Sequence, residues 1–200
     1  METIDLSKQY ILEDDAVLLR PLEASDINHL LHFSIDEPEI WKYSLIRAGG
    51  GEENMKHYLS LAVDARLSHK EYPFIVFDKK QNRYAGSTRF YDIQLQNQTL
   101  QLGYTWYGKD FRGTGLNKHC KFLLLQFAFE KMEMERVEFR ADNNNAKSIA
   151  AMKSIGCTVE GVLRKNVPVP DGGRRDSIIL SILKEEWKSG VKENLKRRLL

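Results

Sequence analysis

The sequence predicts one α/β domain. Three observations carry that expectation. Apolar, strand-like runs alternate with segments of helical spacing along most of the chain. Glycines sit where one apolar strand passes straight into one amphipathic helix. The 200 residues, 42% hydrophobic and 29% charged, suit a single domain with a sizeable core.

The elements follow in order. Ala16 to Leu22 reads as a strand around Val17, Leu18 and Leu19. Ser25 is the expected N-cap of a helix carrying Ile27, Leu30, Leu31 and Ile35. Arg47-Ala-Gly-Gly-Gly51 is a break, and helical spacing resumes from Glu52 to His69 through Met55, Leu59 and Ala62. Phe74–Asp78 and Arg83–Ile93 read as two strands of a hairpin, and Leu100–Tyr107 as a third strand. Leu116, Cys120, Leu123, Leu124 and Phe127 give the next helix its apolar face. Arg136–Arg140 is a strand and Ala146–Ile155 a helix closed by Gly156. Thr158–Val169 and Arg174–Leu183 are strands joined through Asp171-Gly172-Gly173. From Lys184 the chain is basic, with Trp187, Val191, Leu195 and Leu199 recurring every four residues. That pattern fits a terminal helix packed on the domain, or a dimer or membrane-surface contact.

Composition removes several function classes. A net charge of +2 does not point to nucleic acid. No apolar run approaches ~20 residues, so no membrane span is expected, and Met1 to Tyr10 lacks the apolar core of a signal peptide. The two cysteines, Cys120 and Cys157, fit neither a disulfide framework nor a metal site and read as small buried hydrophobes. A reducing, cytoplasmic setting is the expectation, with no metal.

The most informative stretch runs from Tyr104 to Asn117: a strand ending in Trp106 and Tyr107, then Arg112-Gly113-Thr114-Gly115, then Leu116 and Asn117 opening a helix. Glycine lets bare backbone approach a ligand, and the first N–H groups of a helix are unpaired and favour negative charge. The turn is therefore a phosphate cradle. It lacks the Gly-Lys-Ser/Thr of a Walker loop and the Gly-x-Gly-x-x-Gly of a dinucleotide fingerprint. Arg112-Gly113-Thr114-Gly115 resembles instead the Arg/Gln-x-x-Gly-x-Gly/Ala signature of the GCN5-related N-acetyltransferases (GNAT), with Asn117 in place of the final small residue.

A second cluster strengthens the resemblance. Asn145-x-x-Ser148 with Ile155-Gly156 resembles a pattern of the ribosomal-protein N-terminal acetyltransferase (RimJ/RimL-like) branch, Cys157 replacing its usual Phe, and Glu160-Gly-Val-Leu-Arg164 matches that branch's Glu-Gly-x-x-Arg. The resemblance covers nearly all of residues 14 to 188 and implies an acyl-CoA N-acyltransferase fold: a mixed central sheet with helices on both faces. Residues 189–200 are then a basic helical tail. It implies transfer of an acetyl group from acetyl-coenzyme A, the co-substrate, to a primary amine of a protein N-terminus or a small molecule. A non-catalytic acyl-coenzyme A sensor, or an interaction protein using the basic tail, are the alternatives. The expected partners are the donor and an amine acceptor, without nucleic acid or membrane, in a monomer or homodimer.

The resemblance also assigns residues. Arg112, Gly113, Thr114, Gly115, Leu116 and Asn117 would hold the pyrophosphate; Lys118 and Lys121 lie near enough in sequence to meet the coenzyme's phosphates, with Lys121 simply facing water as the alternative. The amides of Trp106 and Tyr107, on a strand splayed from its neighbour, would hold the pantetheine and polarise the acetyl carbonyl. Asn145 and Ser148, three apart on one helix face, would meet the pantetheine arm, though Asn145 equally reads as a simple helix cap. The family's usual proton-donating Tyr position is Met152 here, which leaves Ser148 as candidate general acid. A base is not singled out among Asp92, Asp142, Glu160 and Asp176. Arg164, Lys165, Arg174 and Arg175 form a solvated basic edge or a rim for an anionic group. The acceptor site is expected in Glu37–Gly51, Asp92–Thr99 and the last hairpin.

Overall fold

A computed structural model describes residues 4–199 and shows eight strands in one sheet. The strands are β1 (Leu12–Glu13), β2 (Val17–Pro21), β3 (Tyr72–Asp78), β4 (Arg83–Gln94), β5 (Thr99–Tyr107), β6 (Arg136–Asp142), β7 (Thr158–Pro168) and β8 (Arg174–Leu183). Their spatial order is β1-β2-β3-β4-β5-β6-β8-β7. Only the β5–β6 pair is parallel; every other neighbouring pair is antiparallel. The sheet is therefore mixed, as the resemblance implies. Beyond the expected strands it adds the two-residue β1. Residues 1–3, the start of the segment tested for a signal peptide, and Leu200 of the tail lie outside the described residues.

The helices are α1 (Ile27–Asp36), α2 (Glu52–Leu67), α3 (Leu116–Gln126) and α4 (Ala146–Ser154). Ser87 and Thr88 are successive residues of β4, so their side chains point to opposite faces. Tyr58 of α2 approaches Ser87 Oγ at 3.5 Å, while Lys121 of α3 approaches Thr88 Oγ1 at 3.5 Å. Helices α2 and α3 thus cover opposite faces. Under α1 and α2 lies an aromatic cluster: the Trp106 ring sits 5.0 Å from Trp41, 5.5 Å from Phe33 and 6.3 Å from Tyr58. Each such ring buries roughly 150–250 Å², an upper-bound contribution of about 4–6 kcal/mol at ~25 cal/mol per Å².

Two local expectations change. Ser25 does not cap α1. A short 3-10 turn, Ala24–Asp26, precedes the helix, and Asp26 accepts from Glu23 N at 2.8 Å while Arg20 grips its carboxylate. Charge pairing with a strand residue outweighs a hydroxyl cap. The last segment is not one continuous helix: α5 (Lys184–Glu186) and α6 (Lys192–Lys196) flank a π-type turn kinked at Gly190. Its four-residue stripe packs inward. Trp187 and Leu195 are buried, the Trp187 ring stacks 5.6 Å from Phe129, and its indole N–H donates to Glu130 at 2.9 Å.

Candidate active site

Strands β5 and β6 run parallel, so their C-terminal ends lie at the same edge of the sheet. They pair only through Thr99–Arg136, Leu100–Val137 and Gln101–Glu138. Beyond that point β5 continues to Tyr107 and β6 to Asp142 without pairing to each other. The divergence leaves a V-shaped gap. The turn into α3 leaves from the end of β5, and the turn into α4 from the end of β6. Crevices beyond the carboxyl ends of diverging strands are the usual ligand position in α/β sheets.

On the β5 side, Phe111 is buried and anchors a 3-10 turn, Lys109–Phe111, that delivers the glycines. Gly113 has φ +76° and Gly115, at the N-cap of α3, has φ +92°. A Cβ on either would meet no atom within 4 Å, so the bare backbone faces open room. Arg112 is exposed, and its Nε donates to the Tyr107 carbonyl at 2.9 Å, which fixes the guanidinium beside the cradle. Thr114 Oγ1 donates to the Phe111 carbonyl at 2.9 Å and closes the turn. Leu116 is buried beneath the cradle and Asn117 is half-buried. An extended anionic ligand fits this arrangement.

Trp106 and Tyr107 have buried side chains, Trp106 on the α2 face. The strand before them holds a feature that sequence reading missed. Trp106 opposes Ser87 and Gly103 opposes Arg89, so Tyr104 and Thr105 together oppose Thr88. This is a β-bulge, with Tyr104 at φ +48°, an outlier for a bulky residue. No residue pattern signals it. The cation of Arg89 stacks 4.4 Å from the Tyr104 ring and pairs with Glu71 at 2.6 Å, holding the bulge from the α2 side.

On the β6 side, Asn145 is the N-cap of α4 and its Oδ1 accepts from Ser148 N at 3.1 Å. The capping reading of Asn145 is therefore met; its amide NH2 stays free for a second contact. Ser148 is half-buried, and Met152 lies buried one turn on. Asp142 is turned inward and accepts from Asn144 N at 2.8 Å.

Lys121 does not serve the phosphates. It is buried between α3 and the sheet, and only Lys118 stays near the cradle surface. His119 pairs with Asp14 at 2.7 Å and so has a local partner. Burial pushes Cys120 and Cys157 up to about 12, leaving both thiols neutral and inert. Arg136 holds the Glu160 carboxyl down to about 2, so Glu160 is an ion-pair partner and a poor base. Asp176 accepts from Lys165 N and Asp92 from Gln101 Nε2, so each has a local partner.

Two of the three segments expected to shape an acceptor site meet. Arg47 forms an ion pair with Asp171, and Arg175 Nη1 donates to the Tyr43 carbonyl at 3.3 Å, which ties the segment before α2 to the last hairpin. Trp41 is core, against Trp106. The turn at Leu95–Asn97 lies at the start of β5, the end away from the cradle, and takes no part. Arg164, Lys165 and Arg174 are exposed, whereas half-buried Arg175 has its pKa lowered by loss of solvent.

A glycine cradle at a helix N-terminus stands beside two parallel strands that part at the same edge of the sheet. Residues 16–158 match the family described as "Acetyltransferase (GNAT) domain", and the chain belongs to the GNAT acetyltransferases. It is 25% identical over 177 residues to "Probable N-acetyltransferase YjcK" of Bacillus subtilis (strain 168), covering 86% of this chain and 97% of that one. YdaF of the same organism, named provisionally as a ribosomal N-acetyltransferase, is 33% identical over 103 residues, 52% of this chain and 55% of that one. A crystal structure named provisionally as an acetyltransferase covers the whole of both chains at 32% identity and a TM-score of 0.86. GNAT acetyltransferases use acetyl-coenzyme A as co-substrate, and this chain is an acetyltransferase of that family. No helix among the described residues is long and apolar enough to cross a membrane.

Proposed function

We propose that the protein transfers the acetyl group of acetyl-coenzyme A to a primary amine by direct attack, with a protein N-terminal amine as the first acceptor to test. The observation that carries this reading is the convergence of the open glycine cradle and the β5–β6 gap at one edge of the sheet. The donor's pyrophosphate lies across Arg112, Gly113, Thr114, Gly115, Leu116 and Asn117, where N–H groups and the helix dipole meet it. The pantetheine arm enters the gap between Trp106–Tyr107 and Asn145–Ser148. Backbone amides after the bulge polarise the acetyl carbonyl, and Ser148 protonates the departing thiolate. Neither cysteine carries a covalent intermediate, in keeping with their buried, neutral state. We assign the transferase domain to residues 14–188 and the tail to 189–200, in a cytoplasmic protein. The ribosomal name of YdaF and the Asn145-x-x-Ser148 pattern favour the N-terminal acceptor over a small amine.

Thiol release from acetyl-coenzyme A, followed with peptides bearing free or blocked N-termini and with small amines, tests the reading. Turnover that needs a free peptide N-terminus supports it. Turnover of small amines alone moves the acceptor class, and none with any amine leaves an acyl-coenzyme A binder instead.

A further inference from the structure

Lys121 is buried at 5% exposure, and its place costs the fold. Its Nζ donates to Thr105 Oγ1 at 2.8 Å and approaches Thr88 Oγ1 at 3.5 Å. On the far side the Phe139 ring centroid lies 5.9 Å away. Thr105 belongs to the β5 bulge and Phe139 is the first β6 residue past the last β5–β6 pair. The ammonium therefore sits at the root of the gap, on the α3 face, hydrogen-bonded to β5 and facing a β6 side chain 5.9 Å away.

Nothing nearby balances its charge. Among the described residues Lys121 takes part in no ion pair. The ionisable groups that face it are Cys120 on its own helix and Cys157 after α4; β4, β5 and β6 present Thr88, Thr105 and Phe139. Burial pushes the Lys121 amine down to about 8 and both thiols up to about 12, so the thiols are neutral wherever the lysine titrates. A buried cation without a counter-ion is unfavourable, and methionine would fill the same space without the penalty. A buried ammonium kept without a counter-ion where two strands part is the geometric ground for assigning it a role.

We infer that Lys121 is a positioning residue for acetyl transfer, its ammonium locking Thr105 in the bulge and fixing a positive charge beneath the gap that receives the thioester. The inference rests on the donor site proposed above. The tether aims the amides that follow the bulge. The charge favours electron density arriving on the carbonyl oxygen and then on sulfur. As the amine's C–N bond forms and the C–S bond breaks, the sulfur leaves with the electron pair and takes a proton from Ser148, while the proton released by the amine nitrogen passes to solvent, which reprotonates Ser148. Lys121 neither gives nor takes a proton.

Lys121→Met and Thr105→Val test this through urea unfolding, the KM for acetyl-coenzyme A, and kcat with an accepted amine across pH. The wild type is assayed first: failure to turn over any amine overturns the reaction reading and this inference with it, before any variant is made. With an active wild type, Lys121→Met is expected to be at least as stable, to keep its acetyl-coenzyme A KM within about twofold, and to lose at least ~10-fold in kcat. The wild type should lose activity near pH 8 as the amine neutralises, and Lys121→Met should lack that limb. An unchanged kcat in folded Lys121→Met, or a loss of stability matched by a rise in KM with kcat kept, overturns the positioning role and leaves the reaction reading intact. Should Lys121→Met fail to fold, Thr105→Val decides: a kcat loss at constant KM supports the role, and unchanged kcat overturns it.

Discussion

The indole N–H of Trp106 donates to the hydroxyl of Tyr58 at 3.1 Å, in a fully buried contact between β5 and α2. The strand that carries the bulge is thereby tied on one face by Tyr58 and on the other by Lys121. Tyr58→Phe keeps the ring but strands a buried N–H, a loss of about 1–3 kcal/mol. Urea unfolding should show a lower midpoint with an unchanged slope. An unmoved midpoint would mean that the indole finds another acceptor.

Gly115→Glu changes two things. A side chain at φ +92° strains the backbone by roughly 1–3 kcal/mol, which a carboxylate at a helix N-terminus offsets by about 0.3–1 kcal/mol, so the fold should survive. The same carboxylate occupies the ground proposed for phosphate. At ~100 times its dissociation constant acetyl-coenzyme A should stabilise the wild type by about 2.7 kcal/mol, several degrees in Tm, and the variant not at all. An equal rise in both would remove the cradle from the donor site.

Ser148→Ala and Asn145→Ala should separate chemistry from capping. Loss of a general acid is expected to lower kcat by about 100-fold with acetyl-coenzyme A binding retained. Asn145→Ala removes the helix cap and should cost ~1 kcal/mol of stability. Full kcat in Ser148→Ala would pass the proton to solvent.

Acid stability should report the Arg136–Glu160 pair. Glu160 titrates at about 2 in the fold, against 4.5 ordinarily, because Arg136 and the Ser181 hydroxyl bind its charged form. Its contribution is complete above pH 4.5 and disappears as pH falls toward 2. More than a third of the carboxylate side chain is exposed, so the contribution is below about 1 kcal/mol. Glu160→Gln should be slightly less stable than wild type at neutral pH and equal to it near pH 2. A constant difference across that range would assign the effect to packing.

The cradle was legible because it is local: strand, glycines and helix follow one another within a dozen residues. So was the order of the main strands and helices, carried by spacing. The bulge at Tyr104–Thr105 was not, since two residues opposing one is a fact about register between strands. Lys121 was misjudged for a related reason. The expected apolar face of α3 held Leu123, which is half-buried, and omitted Phe122 and Leu125, which are buried. The C-terminal segment covers that second side of the helix, Trp187 lying 6.0 Å from Phe122. A helix buried on most of its circumference gives periodicity no single face to report, and a lysine within it looks like a surface residue. The contact between Arg47 and Asp171 was hidden by 124 residues of separation.

The β5–β6 seam divides the sheet into two plates. Five strands on one side and three on the other are joined by three residue pairs, and everything past Gln101 and Glu138 is an unlaced edge. A molecule held in that opening would touch both plates at once, along the very stretch where the two strands make no hydrogen bonds to each other.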